Sequence, residues 1–236
     1  MPAKPTLLLT RPAAQSQRFA RQAEAALGPW PMVISPLTEI RYLEVALPAE
    51  GAVIFTSENA VRAWVRRAAG AGRKAWCVGA RTAEAAKAAG FDAQAVGGDA
   101  DALVADLIAQ GVRGPLLHMR GTHSRGAVTD RLNSAGIETS EVRIYDQHPS
   151  PPTPEARALL AGRAPVLVPL FSPRSAALFA AAATGAGAPL HIFAFSPAVA
   201  AALSGVEMAS LDVAERPEAD AMIAAMAQRF AASGLA

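Results

Sequence analysis

The stretch "GAVIFTSENAVRAWVRRAAGAG" at residues 51 to 72 returns in nearly the same pattern as "PVLVPLFSPRSAALFAAAATGAG" at residues 165 to 187. Aligned without a gap, Ser57 stands opposite Ser172, Trp64 opposite Phe179, Gly70 opposite Gly185 and Gly72 opposite Gly187, each pair 115 residues apart. A match over an apolar run, a hydroxyl turn and a helix-like stretch indicates a duplicated supersecondary unit. Further on, "AWCVGARTAEAAKAAG" is echoed by "HIFAFSPAVAAALSG", where Gly79 falls opposite Ser196 at an offset of 117. "DALVADLIAQGV" and "EADAMIAAMAQRF" supply a third matching element. The repeat predicts two related lobes.

A chain of 236 residues with 52% hydrophobic content has enough apolar material for two modest cores. No apolar run reaches the roughly 18 residues of a membrane span. The start, "MPAKPTLLLTRP", is too short in its apolar part for a signal peptide. A soluble, cytoplasmic chain without a membrane partner is expected. The single cysteine, Cys77, excludes an internal disulfide and sits in an apolar, strand-like run that favours an inert buried thiol. A formal charge of +2 argues against nucleic acid as a partner.

Short apolar runs, "TLLLT", "GAVIFTS", "AWCVG", "PLLHM", "APVLVPLF" and "LHIFAF", each precede a segment with helical spacing. That alternation predicts parallel sheets covered by helices on both faces. Ligands of such sheets bind beyond the carboxyl ends of the strands, where loops enter helix N-termini. Ser57 and Ser172 stand there as expected N-caps, with Pro173 at the first helical position. Capping alone is one role for them; an anionic ligand at the positive helix end is the other. The segment from Pro36 through "LTEIRYLE" and the proline-rich "ETSEVRIYDQHPSPPTP" fit extended connectors. The expected division is a discontinuous first lobe of residues 1-35 and 150-236, a second lobe of 41-142, and linker strands at 36-40 and 143-149.

No glycine-rich phosphate loop of either common spacing is present, since "GGDADAL" and "GARTAEAAKAAG" lack the pattern. His118, His123, His148 and His191 form no metal-ligand spacing with one another or with Cys77. No Gly-x-Ser-x-Gly elbow occurs. Neither metal nor organic cofactor is expected, so any catalysis rests on binding shape and hydrogen bonds.

The segments "LLLTRPAAQSQRFARQAEAAL", "VIFTSENAV", "CVGARTAEAAKAAGF", "LLHMRGTHSRGAVTDRL", "RIYDQHP" and "LFSPRSAALF", in that order and spacing, resemble the uroporphyrinogen-III synthases over nearly the whole chain. The resemblance implies two flavodoxin-like α/β lobes joined by a two-stranded antiparallel linker, with the active site in the cleft between them. It also implies a cofactor-independent lyase that cyclises hydroxymethylbilane, a linear tetrapyrrole, to uroporphyrinogen III with inversion of ring D and loss of water. A monomer in transient contact with hydroxymethylbilane synthase goes with it. Carried over by residue, the family's linker tyrosine matches Tyr145, the expected proton donor to the departing hydroxyl. Its second-lobe threonine matches Thr82, and Ser57, Ser172 and Thr56 match hydroxyl positions of the substrate site. Where the family often has a glycine followed by threonines, this chain has "FSPAVAAAL", so either Ser196 stands in as the hydroxyl or the backbone alone serves there. Arg11 and Arg120, each at a strand end, either meet substrate carboxylates or remain solvated charges. The alternative to an enzyme is a non-catalytic two-lobed binder of a small anionic ligand that uses the same residues without a proton donor.

Overall fold

The computed structural model describes residues 5–123 and 127–233, so the tail of the "RGTHSRG" segment at 124–126 lies outside the described residues. The chain divides into two units, one of Met1–Glu39 with Pro149–Ala236 and one of Ile40–His148. The first opens with β1 (Thr6–Leu9), α1 (Ala13–Leu27) and β2 (Met32–Ile34). After β3 (Thr38–Tyr42) the second unit contributes β4 (Ala52–Phe55), α2 (Glu58–Val65), β5 (Lys74–Cys77), α3 (Ala80–Ala88) and β6 (Asp92–Ala95). It continues with α4 (Ala100–Ala109), β7 (Leu116–Gly121), α5 (Val128–Ser134) and β8 (Thr139–Pro149). The chain returns to the first unit through α6 (Pro154–Ala161), β9 (Val166–Leu170), α7 (Pro173–Ala182), β10 (Leu190–Ala194), α8 (Pro197–Ala201), β11 (Ser210–Val213) and α9 (Ala219–Ser233).

The first unit holds a sheet of order β11-β10-β9-β1-β2, parallel throughout. The second holds β3-β8-β7-β4-β5-β6, in which β8, β7, β4, β5 and β6 pair in parallel. β3 runs antiparallel to β8: Leu43 N–H donates to Ile144 O at 3.0 Å and Ser150 N–H to Leu37 O at 2.9 Å, so one number falls as the other rises.

The strand orders explain the sequence repeat. β9-β10-β11 lie side by side as β4-β5-β6 do, and each set carries its helices in the same sequence. Beyond β9 the sheet is completed by β1 and β2, and beyond β4 by β7 and β8. In the first unit that completing pair comes at the start of the chain, in the second at the end of the unit. The two units are therefore circular permutations of one arrangement, which the 115-residue offset alone does not reveal.

The inner strands of each sheet, β1, β9 and β10 in one and β4, β5 and β7 in the other, are buried on both faces, which is why they read as continuous apolar runs. In the second unit Phe55, Trp64 and Phe91 form an edge-to-face trio with centroids 5.1 to 6.4 Å apart, while Ile54, Leu103, Leu107 and Leu116 fill the other face. In the first, Phe179 takes the place of Trp64 within its own cluster, and Phe19, Leu9 and Met222 pack the opposite face. Trp64 and Phe179 are both fully buried, and such a side chain contributes about 1.5–3 kcal/mol by leaving water. Cys77 is buried and free, its thiol pushed up to about 12 by burial, with Lys87 opposing.

His118 is a polar residue in this apolar setting. It lies on β7 at 2% exposure, with Nε2 3.3 Å from Thr56 Oγ1 and Nδ1 3.3 Å from Thr129 Oγ1. Burial, helped by the Arg120 charge and opposed by Glu141, lowers its pKa from 6.5 to about 4. The folded state thus holds a neutral ring where the unfolded chain takes a proton below 6.5. Its contribution to stability is complete above pH 6.5 and is lost as pH falls toward 4, at about 1.4 kcal/mol per pH unit. Urea unfolding of the wild type and of His118→Gln at pH 7.5, 6 and 5 is expected to give a shallower acid-side slope for the variant. Equal slopes would assign the acid sensitivity to other groups.

Candidate functional site

The carboxyl ends of β4, β7 and β8 bring the chemistry of the second unit together. Along β7 and β8 the register runs Met119 with Val142 and Arg120 with Arg143, then jumps to Gly121 with Tyr145, leaving Ile144 as an extra residue. Such a bulge bends a strand and re-aims the side chains that follow. The Tyr145 ring is thereby laid on the Gly121 backbone. A Cβ at Gly121 would stand 2.7 Å from Tyr145 Cζ and 3.0 Å from its hydroxyl, closer than a side chain tolerates. Only glycine admits this approach.

Tyr145 is 5% exposed. Burial raises its pKa, while a side-chain hydrogen bond with Ser57 and the Arg120 charge pull it the other way without reversing the shift. The phenol is therefore protonated at neutral pH, as a proton donor must be. Ser57 follows β4 as N-cap of α2, and its hydroxyl accepts from Asn59 N–H at 3.2 Å. Extended backbone at Ser57 turns its hydroxyl back over the first helical turn, the ordinary geometry of a serine cap.

Arg120 is committed within the chain. Its guanidinium donates to Glu141 Oε2 at 2.9 Å and to Thr122 O at 3.2 Å, and its side chain is only 13% exposed. Among the described residues its buried Nε has no hydrogen-bond partner. The charge thus acts on Tyr145 from a fixed position. Thr56 is likewise turned to His118, at 3.3 Å. Just past the phenol, Asp146 meets His148 at 2.9 Å and His123 at 3.8 Å. Burial works to raise the Asp146 pKa, but bonds from Gln147 N–H and Thr122 and the two histidines together lower it.

The remaining expected residues stand at strand ends of their own sheets. Thr82 is buried in the first turn of α3, after β5. In the first unit Arg11 follows β1 with its guanidinium 4.3 Å above the Phe171 ring. Ser172 caps α7 in a capping box: its hydroxyl accepts from Ser175 N–H at 3.1 Å, and the Ser175 side chain accepts from Ser172 N–H. Ser196 caps α8 in position only, with no side-chain bond to the helix. A recess at the far end of α2, lined by Tyr42, Glu44, Arg66 and Arg67, satisfies its own charges: Arg67 pairs with Glu44 at 2.7 Å and Arg66 lies 4.8 Å over Tyr42.

Gly121 and Glu141 escaped the sequence reading because a bulge and a cross-strand ion pair exist only once β7 and β8 are paired. One signal was present: "LLLTR" at 7–11 and "LLHMR" at 116–120 share a pattern, and the permutation places them on equivalent strands.

No curated protein matches the chain in sequence. Among solved structures, the uroporphyrinogen-III synthetase of Helicobacter pylori is similar at 14% identity and a TM-score of 0.68, covering 97% of this chain and 100% of that one. A mutant uroporphyrinogen III synthase of Thermus thermophilus is similar at 17% identity and a TM-score of 0.52, covering 97% and 99%. At such identities these likenesses speak for the fold. The family described as Uroporphyrinogen-III synthase HemD matches residues 19–224, nearly the whole chain, and the chain therefore belongs to the uroporphyrinogen-III synthase family.

Proposed function

We propose that this chain converts hydroxymethylbilane to uroporphyrinogen III, with Tyr145 as the source of the proton that lets the terminal hydroxyl leave. Family membership supports the reaction. The phenol, pinned on Gly121 and held protonated by burial, supports the assignment of the proton source.

Departure of the hydroxyl as water leaves an electrophilic azafulvene on the first pyrrole. Ring D attacks through its substituted carbon, forms a spiro intermediate, fragments and recloses inverted. Without guidance the substrate closes without inversion, so the protein's task is to hold the chain where the substituted carbon meets the electrophile. Each pyrrole carries an acetate and a propionate. Hydroxyls and backbone N–H groups at helix starts suit those anions, and Ser172, Ser196, Thr82 and Arg11 are assigned to them. Thr56 orients the turn beside Ser57 through its contact with His118. Arg120, held by Glu141, steadies negative charge on the phenol as its proton leaves. A monomeric, cytoplasmic chain that receives its unstable substrate by transient contact with hydroxymethylbilane synthase completes the reading. Fresh hydroxymethylbilane, followed by oxidation of the products and separation of isomers, tests it: the type III isomer is expected, and type I alone at the protein-free rate would overturn it.

Positioned acids contribute roughly 10²- to 10⁴-fold, but a hydroxyl on a carbon attached to an electron-rich pyrrole departs readily. Tyr145→Phe is expected to fold normally, to lose about 10²-fold in kcat or less, and still to make mainly type III. An unchanged kcat would remove the catalytic role, and a switch to type I at normal rate would make Tyr145 a steering group. Gly121→Ala must displace the ring, because backbone cannot retreat as a flexible side chain can. Its kcat is expected to fall at least as far as that of Tyr145→Phe, with a lowered melting temperature. Wild-type kcat in Gly121→Ala would show that the placement of the ring is immaterial.

A further inference from the structure

Strand register brings Thr56 and His118 together. Ile54 of β4 stands opposite His118 of β7, and Thr56, two residues beyond Ile54, is directed to the same side. The His118 ring, 2% exposed, meets Thr56 Oγ1 with Nε2 and Thr129 Oγ1, in the first turn of α5, with Nδ1, each at 3.3 Å. Burial keeps the ring neutral at neutral pH. A neutral imidazole has one N–H and one bare nitrogen, so one threonine must accept from the ring and the other must donate to it. The choice decides what Thr56 can offer a ligand. If Thr56 donates to Nε2, its oxygen presents only lone pairs and repels a carboxylate. If it accepts from Nε2, its own O–H is released, and among the described residues that hydroxyl has no other side-chain partner. Thr56 is half-buried just past the carboxyl end of β4, where a ligand of such a sheet can reach it.

We infer that His118 is a positioning residue for the substrate: it carries its one proton on Nε2 and donates it to Thr56, leaving the Thr56 hydroxyl to donate to a substrate carboxylate. The inference rests on the synthase reading above and deepens it, because Thr56 then holds an anion as well as orienting a turn. Two fixed positive features make an anion the fitting ligand at Thr56. Arg120 lies two residues beyond His118 on β7, its head held by Glu141 at 2.9 Å. The N-terminus of α2, eight residues long, begins two residues after Thr56. Thr129 completes the arrangement by donating its O–H to Nδ1, so that both ring nitrogens are satisfied. The ring is enclosed between β4 and α5, and the hydroxyl it directs is aimed before substrate arrives. Such preorganisation strengthens binding because little remains to be ordered.

Imidazole ¹⁵N shifts of the full wild-type chain, labelled at histidine, test the tautomer without any ligand. The His118 resonances are assigned by their loss in His118→Gln, and the nitrogen that carries the proton is distinguished by its shift. An Nε2–H ring is expected; an Nδ1–H ring would overturn the inference. Kinetics with hydroxymethylbilane test the consequence. Thr56→Val is expected to raise KM about 10-fold, the scale of a hydrogen bond to a charged group, with kcat within about twofold. His118→Asn, whose amide reaches only the place of Nδ1, is expected to raise KM about 3-fold. His118→Gln, whose amide reaches the place of Nε2 and still donates to Thr56, is expected to restore KM toward the wild-type value. In Thr56→Val/His118→Asn, KM is expected to be no higher than in Thr56→Val, since His118 acts through that one hydroxyl. An unchanged KM in Thr56→Val, a lowered melting temperature without a change of KM in folded His118→Asn, or KM increases that multiply in the double variant would each overturn it. Should His118→Asn not fold, the wild-type tautomer and Thr56→Val decide. Formation of type III by the wild type is a separate measurement: its absence removes the synthase reading, whereas the outcomes above in an enzyme that makes type III remove only the role of His118.

Discussion

Parallel pairing is the constraint from which the site follows. Parallel neighbours cannot be joined by a tight turn, so each strand must be followed by a crossover, here a helix. The carboxyl ends of the parallel strands in a sheet then lie on one edge, and the helices that follow them start there with unsatisfied N–H groups. Ser57 after β4 and Ser172 after β9 are products of that geometry before they are anything else: each satisfies a helix start.

What distinguishes the second unit is the local irregularity on that edge. The register jump between β7 and β8 sets Tyr145 on Gly121, and the chain beyond the jump pairs with β3 instead of continuing as an ordinary parallel strand. A buried phenol keeps its proton at neutral pH, while a fixed guanidinium and a serine bond ease its release. Arg120 can do this because Glu141 and the Thr122 carbonyl hold its head in place, and a charge that stays put costs no reorganisation when a proton moves.

The permutation places the functional asymmetry in context. β1 and β7 are equivalent strands with matching "LLLTR" and "LLHMR" sequences, yet the Arg11 guanidinium sits over the Phe171 ring whereas Arg120 is locked to Glu141 beside a phenol. Ser172 is tied into a capping box with Ser175; Ser57, with no such partner at Ala60, has its hydroxyl linked to Tyr145. Equivalent positions have thus become different groups through the identity of one neighbour each.

The sequence by itself determined the parallel α/β class, the two-unit repeat and the N-caps, because these depend on local periodicity and on turn chemistry that each segment carries alone. It also marked Tyr145, through the order and spacing of "RIYDQHP" within the family pattern. Tertiary structure alone decided that Arg120 pairs with Glu141, that Thr56 faces His118, and that Gly121 supports the phenol. Each of these joins residues on different strands or helices through a register or a close approach. Register is settled by the packing of whole strands, where a one-residue shift reverses the direction of the side chains that follow, and no local stretch of sequence encodes that choice.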